Sequence, residues 1–263
     1  MIDTVPDILR RIVASKREEL AQATLVPAEL ERRAGQMRAG RRDFRAALAA
    51  KTPAIIAEMK KASPSKGVLA ANFDPAGIAA EYELGGAAAL SVLTDRKFFQ
   101  GSLADLESAR ASTRLPVLRK DFTLEEIHVL EAAAHGADAI LLIAAILNER
   151  RIRELREAAA CWEMAALVEV HDERELEIAA AAGADIIGVN NRNLATFEVT
   201  LETSLRLAAR IPAGTLRISE SGIHSAADIR MLRSAGYDAF LVGEHLMQAD
   251  CPQEALRALV DPA

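Results

Sequence analysis

The stretch VLEAAAHGADAILLI, residues 129–143, runs from the end of a helical pattern straight into an unbroken apolar segment, with Gly136 at the join. The same arrangement recurs as AAEYELGGAAALSVL (79–93), LEIAAAAGADIIGV (176–189) and IRMLRSAGYDAFLV (229–242). The junction glycines, Gly86, Gly136, Gly183 and Gly236, are 50, 47 and 53 residues apart. A glycine enters the left-handed conformation that closes a helix, and a short apolar run after it fits a buried strand. A fixed internal period marks a fold assembled from repeated units.

Between these segments lie four more short apolar runs, Ala54–Met59, Leu115–Leu118, Ala165–Val170 and Thr215–Ile218. Each period therefore holds two strand–helix units of about 25 residues. Eight units use about 200 residues and leave roughly the first 50 of the 263 as an extension. Alternating strands and helices imply a parallel sheet, and eight units imply a (β/α)8 TIM barrel. A doubly wound open sheet is the alternative. That architecture carries a Gly-rich turn after its first strand, whereas here Lys60-Lys61-Ala62-Ser63-Pro64-Ser65 follows. In the extension, Ile8, Ile12, Val13 and Leu20 fall near helical spacing among charged residues, so it is expected to lie across the barrel. The expectation is one domain over residues 1–263, with 1–50 as a helical extension packed on it.

Composition narrows the function. A net charge of −6 argues against nucleic acid as a partner. The longest apolar run, Ala139–Leu147, is far shorter than the ~20 residues of a membrane span, so no membrane partner is expected. No basic segment followed by an apolar one opens the chain, and Cys161 and Cys251 read as buried thiols in a reducing cytoplasm. Of 32 cationic side chains only seven are lysine, at 16, 51, 60, 61, 66, 97 and 120. Codon usage is one reading of that bias. The other is that some lysines do proton chemistry that arginine cannot.

In a barrel, active sites form where strands end, and residues two apart share a face. Ile56, Glu58 and Lys60 share one face at the first strand end, and Leu118 and Lys120 share one at the third. Glu169, Asn190 and Glu220 stand at the fifth, sixth and seventh ends. Such charges either leave the mouth for solvent or converge. Converging, two lysines and three glutamates would have to pair, which separates their pKa values as acid–base catalysis requires. Arg119 and Lys61 fall on the opposite face and read as structural.

Ser221-Gly222 follows the seventh strand, and Gly243-Glu244 opens a helical turn after the eighth. Barrels bind phosphate there through backbone N–H groups, although such glycines also serve tight turns. Histidines offer no metal site: His171, two residues after Glu169, lacks a third partner.

Six motifs together resemble indole-3-glycerol phosphate synthase. They are AEMKKASPSKG (57–67), LTDRKFFQGSL (93–103), LPVLRKDF (115–122), ALVEVHDERELE (166–177), IIGVNNRNL (186–194) and ISESGI (218–223). The similarity runs from about residue 5 to 260. It implies ring closure, decarboxylation and dehydration of carboxyphenylamino-deoxyribulose 5-phosphate in tryptophan biosynthesis, with no cofactor and no metal. It also implies residue roles. Lys120 would be the general acid. Glu58, Lys60 and Glu169 would share the remaining proton transfers in an order left open, and Asn190 would hold a substrate hydroxyl. Ser63 and Arg192 would position the substrate, Phe99 and Phe122 would wall its aromatic ring, and Glu220 would line the same pocket. Ser221, Gly222, Gly243 and Glu244 would hold the phosphate. His245 departs from the Ser or Ala of many members. The loop from Lys61 to Phe73, with Lys66, reads either as a lid or as a static connection. Two alternatives remain at this point: a related phosphosugar isomerase such as phosphoribosylanthranilate isomerase, and a non-catalytic phosphosugar-binding barrel. The expected partner is a small phosphorylated substrate, with the protein a monomer or in weak association with other pathway enzymes.

Overall fold

The computed structural model describes residues 6–23, 25–64, 67–70 and 72–260; Ser65 and Lys66 of the first loop lie outside them. Three helices come first: α1 (Asp7–Gln22), α2 (Pro27–Arg38) and α3 (Phe44–Ala49). Asp43 starts α3 by accepting the backbone N–H of Ala46 at 2.8 Å, one of the otherwise unpaired donors of a helix start.

Eight strands follow, β1 (Ala54–Met59), β2 (Ala89–Leu93), β3 (Val117–Lys120), β4 (Ala139–Ile143), β5 (Ala165–Val170), β6 (Ile186–Asn190), β7 (Leu216–Glu220) and β8 (Ala239–Val242). They pair in parallel and in sequence, and β1 pairs with β8 to close the barrel. Helices occupy the crossovers. Gly86, Gly136, Gly183 and Gly236 follow helix ends with φ of 96°, 85°, 76° and 100°, the left-handed turn expected at each junction.

Strand alternation sorts the core into two apolar clusters. Ala54, Ile56, Leu118, Leu141, Ile143, Leu167, Ile186, Ile218 and Leu241 fill the barrel interior. Their neighbours, such as Ile55, Ala57, Val117, Ile140, Val168, Ile187 and Phe240, face outward to the helices. Phe44 and Leu48 of α3 join the interior cluster near the strand starts, while Leu9 and Ile12 of α1 join it at the mouth. The extension thus lies across both ends of the barrel. Between β1 and the next helix, Ala62–Ser63 and Gly67–Val68 form a small antiparallel ribbon.

Two expectations about charge and sulfur resolve here. Arg119 is buried against the helices, paired with Asp121 at 3.2 Å and Glu131 at 2.7 Å, a structural role. The cysteines are free but exposed, not buried. Cys161 ends helix Glu149–Cys161, whose buried stripe is Ile152, Leu155 and Ala159, and falls off that stripe. No helix among the described residues is long and apolar enough to cross a membrane.

Candidate active site

By strand parity, residues 58, 120, 169, 190 and 220 point inward at the ends of β1, β3, β5, β6 and β7, and they do converge. Lys120 Nζ sits 2.7 Å from Glu169 Oε2 and 2.9 Å from Glu220 Oε2. Lys60 Nζ is 2.8 Å from Glu58 Oε1, and the Ser91 hydroxyl is 3.5 Å from the other Glu58 oxygen. Asn190 adds a hydrogen bond to Glu169 and accepts the backbone N–H of Arg192 at 3.0 Å.

Burial alone would discharge Lys120, Glu169 and Glu220, so pairing decides their states. Burial works to lower the Lys120 pKa, but Glu169, Glu220 and Glu58 outweigh it and raise it, keeping an ammonium ion. Burial would raise Glu169; Lys120 and His171 overcome that and hold it below the usual carboxylate range. Glu220 goes the other way. Burial, reinforced by Glu169 and Glu58, pushes it up despite Lys120. Between Glu169 and Glu220, which share Lys120, a proton therefore settles on Glu220 rather than on Glu169. Glu220 Oε1 lacks a hydrogen-bond partner among the described residues.

The charged floor lies between two chemically different ends. One end is apolar, lined by Ile8, Leu9 and Ile12 of α1 with Phe99, Phe122, Leu141, Ile143 and Leu194. The Phe99 and Phe122 ring centroids are 6.2 Å apart. The other end is lined by Ser221, Gly222, Gly243, Glu244, His224 and His245. Ser221 and Gly222 both have positive φ, 68° and 77°, and Gly243 packs against Glu58. Glu58, Lys60, Arg192 and Ser221 border both ends, so the two spaces form one continuous cavity. Arg192 lies 3.5 Å from Glu244, and Ser63 lines the apolar side.

Every site residue expected from sequence therefore borders this cavity. Sequence reasoning missed Ile8, Leu9, Ile12, Leu141, Ile143, Leu194 and Phe197 as its apolar lining. The signal for Leu141 and Ile143 was present, since both share the inward parity of β4. For α1 the buried stripe and its lie across the barrel were legible, but not that it lines this cavity.

A (β/α)8 barrel with paired lysines and glutamates at its strand ends, set between an apolar wall and a glycine-lined turn, has the architecture of an enzyme active site. The family model described as indole-3-glycerol phosphate synthase matches residues 9–259. The indole-3-glycerol phosphate synthase of Polaromonas naphthalenivorans is 52% identical over 258 residues, covering 96% of this chain and 98% of that protein. The enzyme of the same name from Koribacter versatilis is 51% identical over 257 residues, with 96% and 98% covered. The chain belongs to the indole-3-glycerol phosphate synthase family, carboxy-lyases of tryptophan biosynthesis. Among solved structures, 3-hexulose-6-phosphate synthase from Salmonella typhimurium aligns with a TM-score of 0.62 at 13% identity, covering 79% of this chain and 96% of that one. Thiamine phosphate pyrophosphorylase from Pyrococcus furiosus aligns at 0.59 and 18%, covering 81% and 95%. Both likenesses concern the fold alone.

Proposed function

We propose that the cavity binds 1-(2-carboxyphenylamino)-1-deoxyribulose 5-phosphate with its aromatic ring against Phe99 and Phe122 and its phosphate at Gly222, Gly243 and Glu244. The observation that carries this reading is the placing of Lys120 Nζ within 2.9 Å of both Glu169 and Glu220 on the floor between an apolar end and a glycine end. Ring closure needs an acid there. As the carbon bearing the carboxylate attacks the ketone, the ketone oxygen gains negative charge, and Lys120 donates its proton to it. The apolar wall holds ring and ketone together for that step.

Carbon dioxide then leaves, and the C–C bonding pair returns to the ring, restoring aromaticity. Water departs next: one group protonates the hydroxyl and another accepts the adjacent C–H proton. Glu58, Lys60 and Glu169 share those transfers, with Asn190 holding a substrate hydroxyl and Ser63 and Arg192 positioning the chain. Overall a carboxylate becomes neutral carbon dioxide, so each turnover takes up one proton, the one Lys120 gave.

The barrel closes within one chain and carries this set of acid and base groups itself, which supports a single-domain enzyme; the working form we infer is the monomer. Free, exposed Cys161 and Cys251 fit a reducing compartment such as the cytoplasm. The test is direct: pure protein mixed with the carboxyphenylamino substrate should produce rising indole absorbance and fluorescence. A flat trace from folded protein overturns the reading.

A further inference from the structure

His171 takes no part in the chemistry above and does not line the cavity, yet it packs, largely buried, against the Glu169 carboxylate, with 13% of its side chain exposed. Its Nε2 lies 3.4 Å from Glu169 Oε1 and has no hydrogen-bond partner among the described residues. Its Nδ1 is 2.9 Å from Glu175 Oε2, and that same oxygen accepts the His171 backbone N–H at 2.8 Å. Glu175 is itself fixed in the first turn of helix Glu173–Ala181, where its N–H donates to Asp172 at 2.8 Å. One carboxylate therefore grips the ring and presents it to another. Because Glu169 Oε2 faces Lys120, each oxygen of Glu169 meets a different cationic side chain.

We propose that His171 is a positioning residue for the reaction: gripped by Glu175, it fixes the rotation of the Glu169 carboxylate and supports its negative charge opposite Lys120. The proposal rests on the proton-transfer role given to Glu169 above. The charged groups facing the ring are Glu175 from the following helix, Glu169 from β5 and Glu220 from β7. Burial opposes the charge, but these three carboxylates outweigh it and raise the His171 pKa. A glutamine at 171 would supply neither the two-sided grip nor the charge.

The test uses His171→Gln and Glu175→Gln in the full chain, with kcat and KM followed over about pH 3–9, a window that reaches below the usual carboxylate range, beside melting temperatures. His171→Gln is expected to lower kcat roughly ten- to a hundredfold, the scale of a misplaced reacting group, with KM within about twofold. Without the His171 ring beside it, Glu169 takes up its proton more readily, so the acid limb of the kcat profile moves to higher pH. Glu175→Gln, away from the cavity, moves the same limb the same way by less. The double variant should be no worse than His171→Gln, since Glu175 acts through the ring. An unmoved limb in Glu175→Gln, or additive losses, overturns the proposal, and Glu175→Gln carries the test alone should His171→Gln not fold. Glu169→Gln separates the two readings. If it keeps wild-type kcat, the role of Glu169 falls; if it is inactive while the limb stays put in both other variants, only the role of His171 falls.

Discussion

Lys120 Nζ and Glu169 Oε2 lie 2.7 Å apart across the barrel although 49 positions separate them in the chain. With Glu220 at 2.9 Å on its other side, Lys120 is a largely buried ammonium ion held between two carboxyl groups. Replacing it by methionine keeps bulk and removes the proton. Lys120→Met is expected to lower kcat by roughly 10²–10⁴, the usual contribution of a positioned acid, with KM little changed. Steady-state kinetics on the carboxyphenylamino substrate check this, and a loss below about tenfold removes Lys120 from the acid role.

Glu220 makes a prediction about stability. Its carboxyl is pushed up to about 7, against roughly 4.3 in an unfolded chain. The folded state then binds more protons than the unfolded state across that window, so stability falls as pH rises from about 4.5 to about 7. Glutamine mimics the protonated form. Glu220→Gln should therefore melt at a higher temperature than the parent at pH 8, with the gain shrinking toward pH 5, while activity drops. Equal shifts at both pH values would contradict a raised Glu220 carboxyl.

Much of this architecture is legible in the sequence because its determinants are local. A helix stop at Gly136 or Gly183 followed by an apolar run needs no knowledge of the rest of the chain. Parity along a strand then places Glu58, Lys120 and Glu169 inside. What resists reading is long-range. The stripe on α1 announces a buried face but not that Leu9 and Ile12 roof the substrate cavity. Nor does anything near residue 16 in the chain announce Asp95 and Asp121, the two buried carboxylates that meet Lys16.

That Lys16 junction ties the extension to the barrel. Its Nζ is 3.0 Å from Asp95 Oδ2 and 3.0 Å from Asp121 Oδ1, and Asp95 also accepts the Phe98 N–H at 2.7 Å. Lys16→Met leaves buried carboxylate charge short of its partner and should cost about 3–5 kcal/mol. Burial opposes the Lys16 charge, but Asp121 and Asp95 prevail and raise its pKa, so its contribution is lost only as pH rises past about 10. Asp121, held low by Arg119 and Lys16 against burial, loses its contribution only as pH falls below about 4. The penalty in urea unfolding should thus be flat between about pH 5 and 9, and adding Asp95→Asn to Lys16→Met should restore part of it. A penalty below about 1 kcal/mol would show that this junction contributes little, as an exposed pair does.

The glycine end of the cavity is tested by geometry. A Cβ at position 243 would stand 2.6 Å from Glu58 Oε1 and 3.0 Å from Glu58 Cβ, closer than packed atoms allow. Gly243→Ala must therefore displace Glu58, which is 2.8 Å from Lys60, and crowd the turn expected to hold phosphate. The variant should show a raised KM together with a lowered kcat, whereas a defect in binding alone would leave kcat intact. Inorganic phosphate should inhibit the parent competitively, and Gly243→Ala should weaken that inhibition. Crystals of the parent grown in sulfate should place the anion between Gly222 and Gly243. Density elsewhere in the mouth, with that turn empty, would move the phosphate end of the substrate and reverse its orientation against Phe99 and Phe122.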